Sequence, residues 1–154
     1  MDVRYINPFL DAFVNVMPQL GIDDLKKGKI SIKGKTISSI GVLIIIGIVG
    51  DLRGNIIYGT TIENAKNIAS RMMMGAPVKE LDEIAQSAIS ELTNMLTANA
   101  CTSFSEEGIN IDISTPTLMY GNFKATANSD KVLCVEMIIN GAPFEVNISI
   151  EKSK

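Results

Sequence analysis

The feature of the sequence that most constrains the fold is an eleven-residue apolar run, Ile40–Gly50, which is closed by Asp51 and Arg53. A membrane-spanning helix needs about 20 apolar residues, so this run is too short to be one. The run is rich in β-branched residues, and a short continuous apolar segment of this kind is typical of a strand covered on both sides. We therefore predict a strand over Ile40–Ile48 that is buried on both faces.

Further strands are indicated before and after this run. Gly54–Tyr58 follows a turn at Asp51–Gly54 and is expected to pair antiparallel with the apolar strand. Asn140-Gly141 lies between two apolar segments and predicts a β-hairpin. The other predicted strands are Lys29–Lys33, Ile109–Ile113, Thr117–Lys124 at a sheet edge after an interruption by Pro116, Val132–Ile139 and Pro143–Ile150. The last four residues, Glu151–Lys154, are expected to fray.

Apolar residues at helical spacing predict three helices. The first begins at Asn7-Pro8, with Asn7 as a cap, and ends at Pro18. The second follows a capping box in Thr60–Glu63 and ends at Gly75. The third is long, from about Glu80 to about Phe104. Its apolar positions are Leu81, Ile84, Ala85, Ala88, Ile89, Leu92, Met95 and Leu96.

These elements predict an α+β fold, with a mostly antiparallel sheet and three helices packed against it. The prediction is a single domain over residues 1–154, because a chain of 154 residues has the length of one ordinary domain. The run Met72–Met74 is assigned to core packing, since methionine fills irregular gaps in protein interiors.

The polar face of the third helix is unusual for a helix exposed to solvent. It carries no Lys or Arg from Ala85 to Ser103, and its side chains are mostly short. Glu91 and Asn94 are three residues apart and therefore project as neighbours. The predicted members of this face are Glu83, Ser87, Ser90, Glu91, Asn94, Thr97 and Ala98. Another protein could approach such a face closely, although a Glu-x-x-Asn pair alone is a weak signal.

Composition excludes several classes of function. The chain has no His, which removes His-based triads, His metal sites and the usual pH switch. Its net charge is −3, so nucleic acid is not an expected partner. Cys101 and Cys134 are too few for a four-thiolate zinc site and are predicted to be buried thiols in a reducing compartment. We expect a cytoplasmic protein with no membrane insertion.

The pattern Ser87-x-x-x-Glu91-x-x-Asn94, followed after 21 residues by Pro116, resembles the signature of the CheC/CheX/FliY family of response-regulator phosphatases. The start at Tyr5–Phe9 and the glycine-punctuated segment Gly47–Gly54 are also similar to that family. The resemblance covers nearly all of the chain and implies a CheC-like fold.

Two further features favour the CheX branch of this family. FliY proteins carry an additional flagellar-switch domain, for which this chain has no room. CheC proteins usually carry the signature on two related helices. Aligning the first helix on the third places Asn15 opposite Asn94 but Ala12 opposite Glu91, so the resemblance implies a single complete site.

The resemblance implies that the substrate is the phospho-aspartate of a CheY-type response regulator. Asn94 would orient the attacking water, because an amide both accepts and donates hydrogen bonds. Glu91 would pair with the regulator's Lys, and Ser87 and Pro116 would support the site. The resemblance also implies that the protein has no cofactor of its own, uses Mg²⁺ supplied by the partner receiver domain, and is a homodimer.

Two other functions remain open at this stage. A non-catalytic adaptor could use the same surface to bind a receiver domain or a flagellar-switch component. A small-molecule sensor with its ligand in the methionine-lined interior is also possible, although no residue indicates a ligand. The presence of both Glu91 and Asn94 favours catalysis, because binding alone does not require the amide.

Overall fold

The structure is a computed structural model that describes residues 3–153. The described chain contains three α-helices, nine strands and two short 3₁₀ turns. The helices are α1 (Ile6–Val16), α2 (Ile62–Met72) and α3 (Glu83–Glu106). The strands are β1 (Leu25–Lys33), β2 (Thr36–Ser38), β3 (Val42–Gly50), β4 (Leu52–Thr60), β5 (Ile111–Ile113), β6 (Thr117–Tyr120), β7 (Lys124–Thr126), β8 (Val132–Ile139) and β9 (Ala142–Lys152).

Seven strands form one antiparallel sheet in the order β1-β8-β9-β4-β3-β5, and β6 also pairs with β3. The predicted hairpin between β3 and β4 is confirmed, with Ile44 opposite Tyr58. The turn predicted over Asp51–Gly54 consists of Asp51 alone, because β3 ends at Gly50 and β4 begins at Leu52. Gly54 has φ +139°, and a Cβ at this position would overlap the carbonyl oxygen of Ser149 in β9. Gly54 is therefore a glycine that allows β4 and β9 to pack closely.

The prediction of a strand buried on both faces is confirmed for residues 42–48 of β3, none of which is exposed. It is wrong at Ile40, which lies before β3 and is 40% exposed. The helices cover one face, where Phe13 of α1 meets Phe144 of β9 edge to face with ring centroids 5.6 Å apart. The two-stranded sheet β2–β7 covers part of the other face. There Ile37 packs with Leu43 and Ile57 in a second, smaller apolar cluster. The α+β prediction of three helices on a mostly antiparallel sheet is confirmed.

The hairpin predicted at Asn140-Gly141 is also confirmed. Both residues have positive φ, +52° and +78°, as a tight turn between β8 and β9 requires. β9 extends to Lys152, so the prediction that the chain frays from Glu151 is wrong for Glu151 and Lys152. Arg53 lies 3.5 Å from Glu151 across the β4–β9 pair. Lys154 is outside the described residues.

Several boundaries and positions differ from the sequence predictions. Asn7 is not a cap: α1 begins at Ile6 after a 3₁₀ turn and has no side-chain cap. The predicted strand Thr117–Lys124 is two strands, because Gly121, with φ +120°, ends β6 and the chain then pairs with β2. Met74 is 99% exposed at φ +60°, so its assignment to the core is wrong.

Side chains cap the two helices that follow β4. Thr61 accepts a hydrogen bond from the amide of Asn64 at 3.0 Å, which confirms the helix start predicted there. Asp82 accepts one from the amide of Ala85 at 2.9 Å, so α3 begins three residues later than predicted. No helix within residues 3–153 is long and apolar enough to cross a membrane.

Candidate functional site

A groove of about 750 Å³ runs along the N-terminal half of α3. One side is the exposed face of α3, and the other is the segment that leads from β5 into β6. The groove brings together all four site residues predicted from the sequence. Its lining comprises Glu83, Gln86, Ser87, Ser90, Glu91, Asn94, Thr115, Pro116 and Leu118.

Glu91 and Asn94 lie side by side in this groove. Residues three apart on a helix have Cβ atoms about 5–6 Å apart, so the two side chains can reach one object together. Glu91 and Ser87 are exposed and Asn94 is half-buried. Within residues 3–153, the side chains of these three residues make no hydrogen bond or ion pair. The carboxylate and the amide are therefore available to a bound partner.

The charge of the groove is entirely negative. Of its lining residues, all within the described chain, Glu83 and Glu91 carry charge and none is basic. The sequence of α3 contains no Lys or Arg to neutralise them. A groove of this kind attracts an ammonium or guanidinium group and does not by itself bind phosphate.

The side of the groove that faces α3 is held by the central sheet. Ser114 makes two hydrogen bonds with Gly47 of β3: its amide donates to the Gly47 carbonyl at 3.0 Å, and its hydroxyl accepts from the Gly47 amide at 2.8 Å. Thr117 is then opposite Ile45 in the β3–β6 pair. Pro116, half-buried, lies between these two attachments. The position of Pro116 in the groove therefore follows from strand pairing.

The buried side of α3 carries a short hydrogen-bond chain below the groove. Thr97 was predicted on the polar face, but it is fully buried. Its hydroxyl donates to the carbonyl of Thr93 at 2.7 Å and lies 2.8 Å from the hydroxyl of Tyr58. Thr93, also buried, donates its hydroxyl to the carbonyl of Ser90 at 2.8 Å. Burial raises the pKa of Tyr58, so this phenol stays protonated.

The stripe of apolar positions predicted for α3 is wrong at one residue. Ile84 is 64% exposed although Ala85 in the same turn is fully buried, because Ile84 lies on the side of α3 that faces away from the sheet. The exposed Ile84 falls seven residues before Glu91, which is nearly two full turns and places both residues on one side of the helix.

The first helix does not repeat the groove. Ala12, the counterpart of Glu91 in the sequence alignment, is fully buried in the core. Asn15, the counterpart of Asn94, is exposed and donates to the side-chain oxygen of Asn99 in α3 at 3.2 Å. The counterpart positions in α1 thus hold one amide, which is already hydrogen-bonded, and no carboxylate.

The two cysteines lie away from the groove lining. Cys134 is buried as predicted, whereas Cys101 is only half-buried. Burial raises the pKa of Cys101 to about 11, with a smaller contribution from the charge of Asp112. Among residues 3–153, no three His, Cys, Asp or Glu side chains are grouped so that they could hold a metal ion.

The sequence did not indicate every residue that shapes the site. Thr115 and Leu118 line the groove because they flank Pro116, so the proline signal could have included them. Gln86 lines it while its side-chain amide donates to the carbonyl of Leu81 at 2.8 Å. Tyr58 is distant in sequence from α3, and no sequence pattern connected it with the site.

Comparison with known proteins places this groove in a family. The sequence model of the family described as chemotaxis phosphatase CheX matches residues 42–139. The CheY-P phosphatase CheX of Thermotoga maritima is 30% identical over 157 aligned residues, which cover 98% of each chain. The matched residues contain α3, the groove and the strand that pairs beside it.

Solved structures with similar folds agree with this match. A chain in the CheX-CheY-BeF₃-Mg²⁺ complex from Borrelia burgdorferi is 29% identical, with a TM-score of 0.82 over 96% of this chain and 98% of that one. A CheC-like superfamily protein from Shewanella sp. PV-4 is 28% identical, with a TM-score of 0.86 over 98% and 99% of the two chains.

Proposed function

Because the chain belongs to the CheX family of chemotaxis phosphatases, we propose that it hydrolyses the aspartyl phosphate of a CheY-type response regulator. The proposal takes the whole chain as one phosphatase domain. The exposed Glu91 and the half-buried Asn94, side by side in one groove and without internal partners, are the observation that carries it.

The role proposed for Asn94 is to orient the attacking water. An acyl phosphate is already activated, so the enzyme mainly has to hold a water in line with the phosphorus atom. The side-chain carbonyl of Asn94 accepts a hydrogen bond from that water, and its NH₂ group can donate one. Because no described residue occupies this amide, it needs to break no internal hydrogen bond to do so.

The role proposed for Glu91 is to pair with the Lys of the receiver domain. A carboxylate accepts charge-assisted hydrogen bonds from an ammonium group, and such a bond fixes both distance and register. The other charged residue of the groove is Glu83, so the ammonium group meets no competing positive charge there. With Glu91 paired in this way, Asn94 on the next turn faces the aspartyl phosphate.

Ser87 and Pro116 are proposed to support this geometry. Ser87, one turn before Glu91, is exposed and short, so the receiver's backbone can come close to α3. Pro116 limits the opposite side of the groove and is held there through Gly47 and Ser114. Neither residue is proposed to touch the reacting atoms.

The positive charges that the reaction needs are proposed to come from the partner. The groove offers two carboxylates and no basic side chain, which does not fit the binding of a phosphoryl group by this chain alone. The relative from Borrelia burgdorferi forms a complex that contains CheY, BeF₃ and Mg²⁺. We place Mg²⁺ on the receiver domain, and we propose that the chain acts in the cytoplasm and as a homodimer.

A phosphate-release assay tests the proposal. The receiver is loaded with phosphate, and its dephosphorylation is followed with and without the protein. We expect Asn94→Ala to abolish the stimulated rate while the affinity for the loaded receiver is kept, because the amide acts on the water and not on docking. Asn15→Ala, which removes an exposed amide from α1, is the matched control and should keep the full rate.

Two results would contradict the proposal. An unchanged rate for Asn94→Ala would show that this amide does not orient the water. A wild-type protein that binds the loaded receiver without accelerating phosphate release would show that the chain is an adaptor.

A further inference from the structure

We infer that Tyr58 and Thr97 are positioning residues for Asn94, acting through a buried hydrogen-bond chain from the central sheet to the peptide group that carries Asn94. This inference rests on the proposed role of Asn94. Neither Tyr58 nor Thr97 lines the groove, and neither would touch the substrate.

The direction of the hydrogen bonds in this chain follows from counting the hydroxyl protons. A threonine hydroxyl has one proton, and that of Thr97 is donated to the carbonyl of Thr93 at 2.7 Å. The 2.8 Å contact between Thr97 and Tyr58 must therefore use the proton of the phenol, with the Thr97 oxygen as acceptor. Burial raises the pKa of Tyr58, which keeps that proton in place.

The chain ends on the backbone of the proposed catalytic residue. The carbonyl of Thr93 and the amide nitrogen of Asn94 belong to the same planar peptide group. A hydrogen bond to this carbonyl from the Thr97 side chain adds to the bond it receives within the helix. Threonine side chains that bond back to a preceding carbonyl also bend helices slightly. The orientation of the Asn94 peptide is thus set partly by Thr97.

The other end of the hydrogen-bond chain, the side chain of Tyr58, is fixed in the sheet. Tyr58 is fully buried near the end of β4, where it is paired on both sides, opposite Ile44 in β3 and Val146 in β9. Its ring also packs against Phe144, with centroids 6.1 Å apart. The phenol therefore cannot follow a movement of α3, and it holds the helix at one height above the sheet.

This arrangement has a chemical consequence at the groove. Positioning a water demands accuracy of a few tenths of an ångström from Asn94, and even a 1 Å misplacement can cost about 100-fold in rate. Docking makes a smaller demand, because Glu91 is exposed and long enough to adjust. Loss of this hydrogen-bond chain should therefore lower kcat and leave KM nearly unchanged.

Substitutions that remove single hydroxyl groups test the inference. We expect Tyr58→Phe and Thr97→Val each to lower kcat about tenfold, as a fraction of the loss for full misplacement, with KM within about twofold of wild type. Thr97→Ser keeps the hydroxyl and should restore most of the rate. The matched control is Tyr5→Phe, since Tyr5 is also buried and its hydroxyl has no hydrogen bond within the described residues.

A spectroscopic measurement on the free protein separates this inference from the proposed function. The backbone amide resonance of Asn94 should shift in Tyr58→Phe and Thr97→Val and stay in place in Tyr5→Phe. If the wild type releases phosphate but kcat in the two variants stays within twofold, the inference is wrong and the proposed function stands. An equal loss of rate in Tyr5→Phe would also overturn it, because the effect would then be general loosening of the core.

Discussion

Replacing Glu91 by Gln would show how much of docking depends on its charge. Gln keeps the size of the side chain and removes the carboxylate that is proposed to meet the receiver's Lys. Two opposite unit charges 4 Å apart attract by about 4 kcal/mol at an effective dielectric constant of about 20. Water and desolvation reduce this value, and exposed pairs retain only about 0.2–1 kcal/mol.

The surroundings of Glu91 place the energy of its expected ion pair between these two limits. It is exposed in the free chain, and docking of a receiver would cover it. Close charge pairs in protein interfaces couple by about 1.5–7 kcal/mol, and a pair formed from an exposed group belongs at the low end of that range. We therefore expect a loss of about 2 kcal/mol, which is a rise in Kd of roughly 30-fold. The kcat at saturating receiver should change much less.

The assay is titration of the receiver domain loaded with BeF₃ and Mg²⁺, at low and at high salt. The wild-type Kd should rise with salt, and the Glu91→Gln variant should show a weaker salt dependence, because one charge pair is missing. Glu83→Gln is the matched control. Glu83 lines the same groove but lies eight residues away, about 12 Å along the helix, which exceeds the screening length of about 8 Å at physiological salt.

Three outcomes would refute this reasoning. A Kd within twofold of wild type for Glu91→Gln would mean that Glu91 makes no ion pair on docking. Equal losses for the Glu83 and Glu91 variants would show a general attraction by the negative groove and no specific partner for Glu91. An unaltered salt dependence in Glu91→Gln would show that the lost interaction is not electrostatic.

Two further predictions concern α3 itself. Asp82→Ala should lower the free energy of unfolding by about 1 kcal/mol, because it removes the cap on the Ala85 amide; chemical denaturation measures this, and Asp82→Asn, which can still cap, should lose much less. Burial holds the pKa of Cys101 at about 11, so its thiol stays protonated at pH 8 and its reactive thiolate increases about tenfold per pH unit until the pH approaches 11. Alkylation by iodoacetamide, followed by mass spectrometry of the Cys101 peptide, should therefore be about 200-fold slower at pH 8 in the folded protein than in urea, where an ordinary thiol has a pKa of about 8.5; a rate that levels off near pH 8.5 would contradict this.

Local chemistry made much of the fold predictable. The dipeptide Asn140-Gly141 has few alternatives to a tight hairpin, because both residues must take positive φ and both tolerate it. The doubly buried β3 was evident from its unbroken apolar run. The short strand β2 was missed because Thr36–Ser38 has only three residues, and its partner β7 lies far along the chain.

The candidate site was predictable only along one helix. Helical spacing alone places Ser87, Glu91 and Asn94 on one side of α3. Pro116 reaches the same groove because β6 pairs with β3, and this long-range pairing leaves no mark in the local sequence. Its place in the site came from resemblance to a family and not from the residues themselves.

The error at Thr97 has a physical reason. Polar residues are normally assigned to the exposed face of a helix, but a threonine can satisfy its hydroxyl on a carbonyl of its own helix and then be buried. Tyr58 supplies the second partner from the sheet. Nothing in the spacing of α3 distinguishes such a threonine from one in solvent.

The negative charge of the groove also bears on what happens after the reaction. Once the receiver leaves with its metal and its Lys, the lining of Glu83, Glu91 and short polar side chains holds nothing that would retain inorganic phosphate. The product is repelled as soon as it is free, so the protein should not be inhibited by the phosphate it releases. Release of inorganic phosphate would then not limit turnover, and kcat would report the chemical step that Asn94 is proposed to serve.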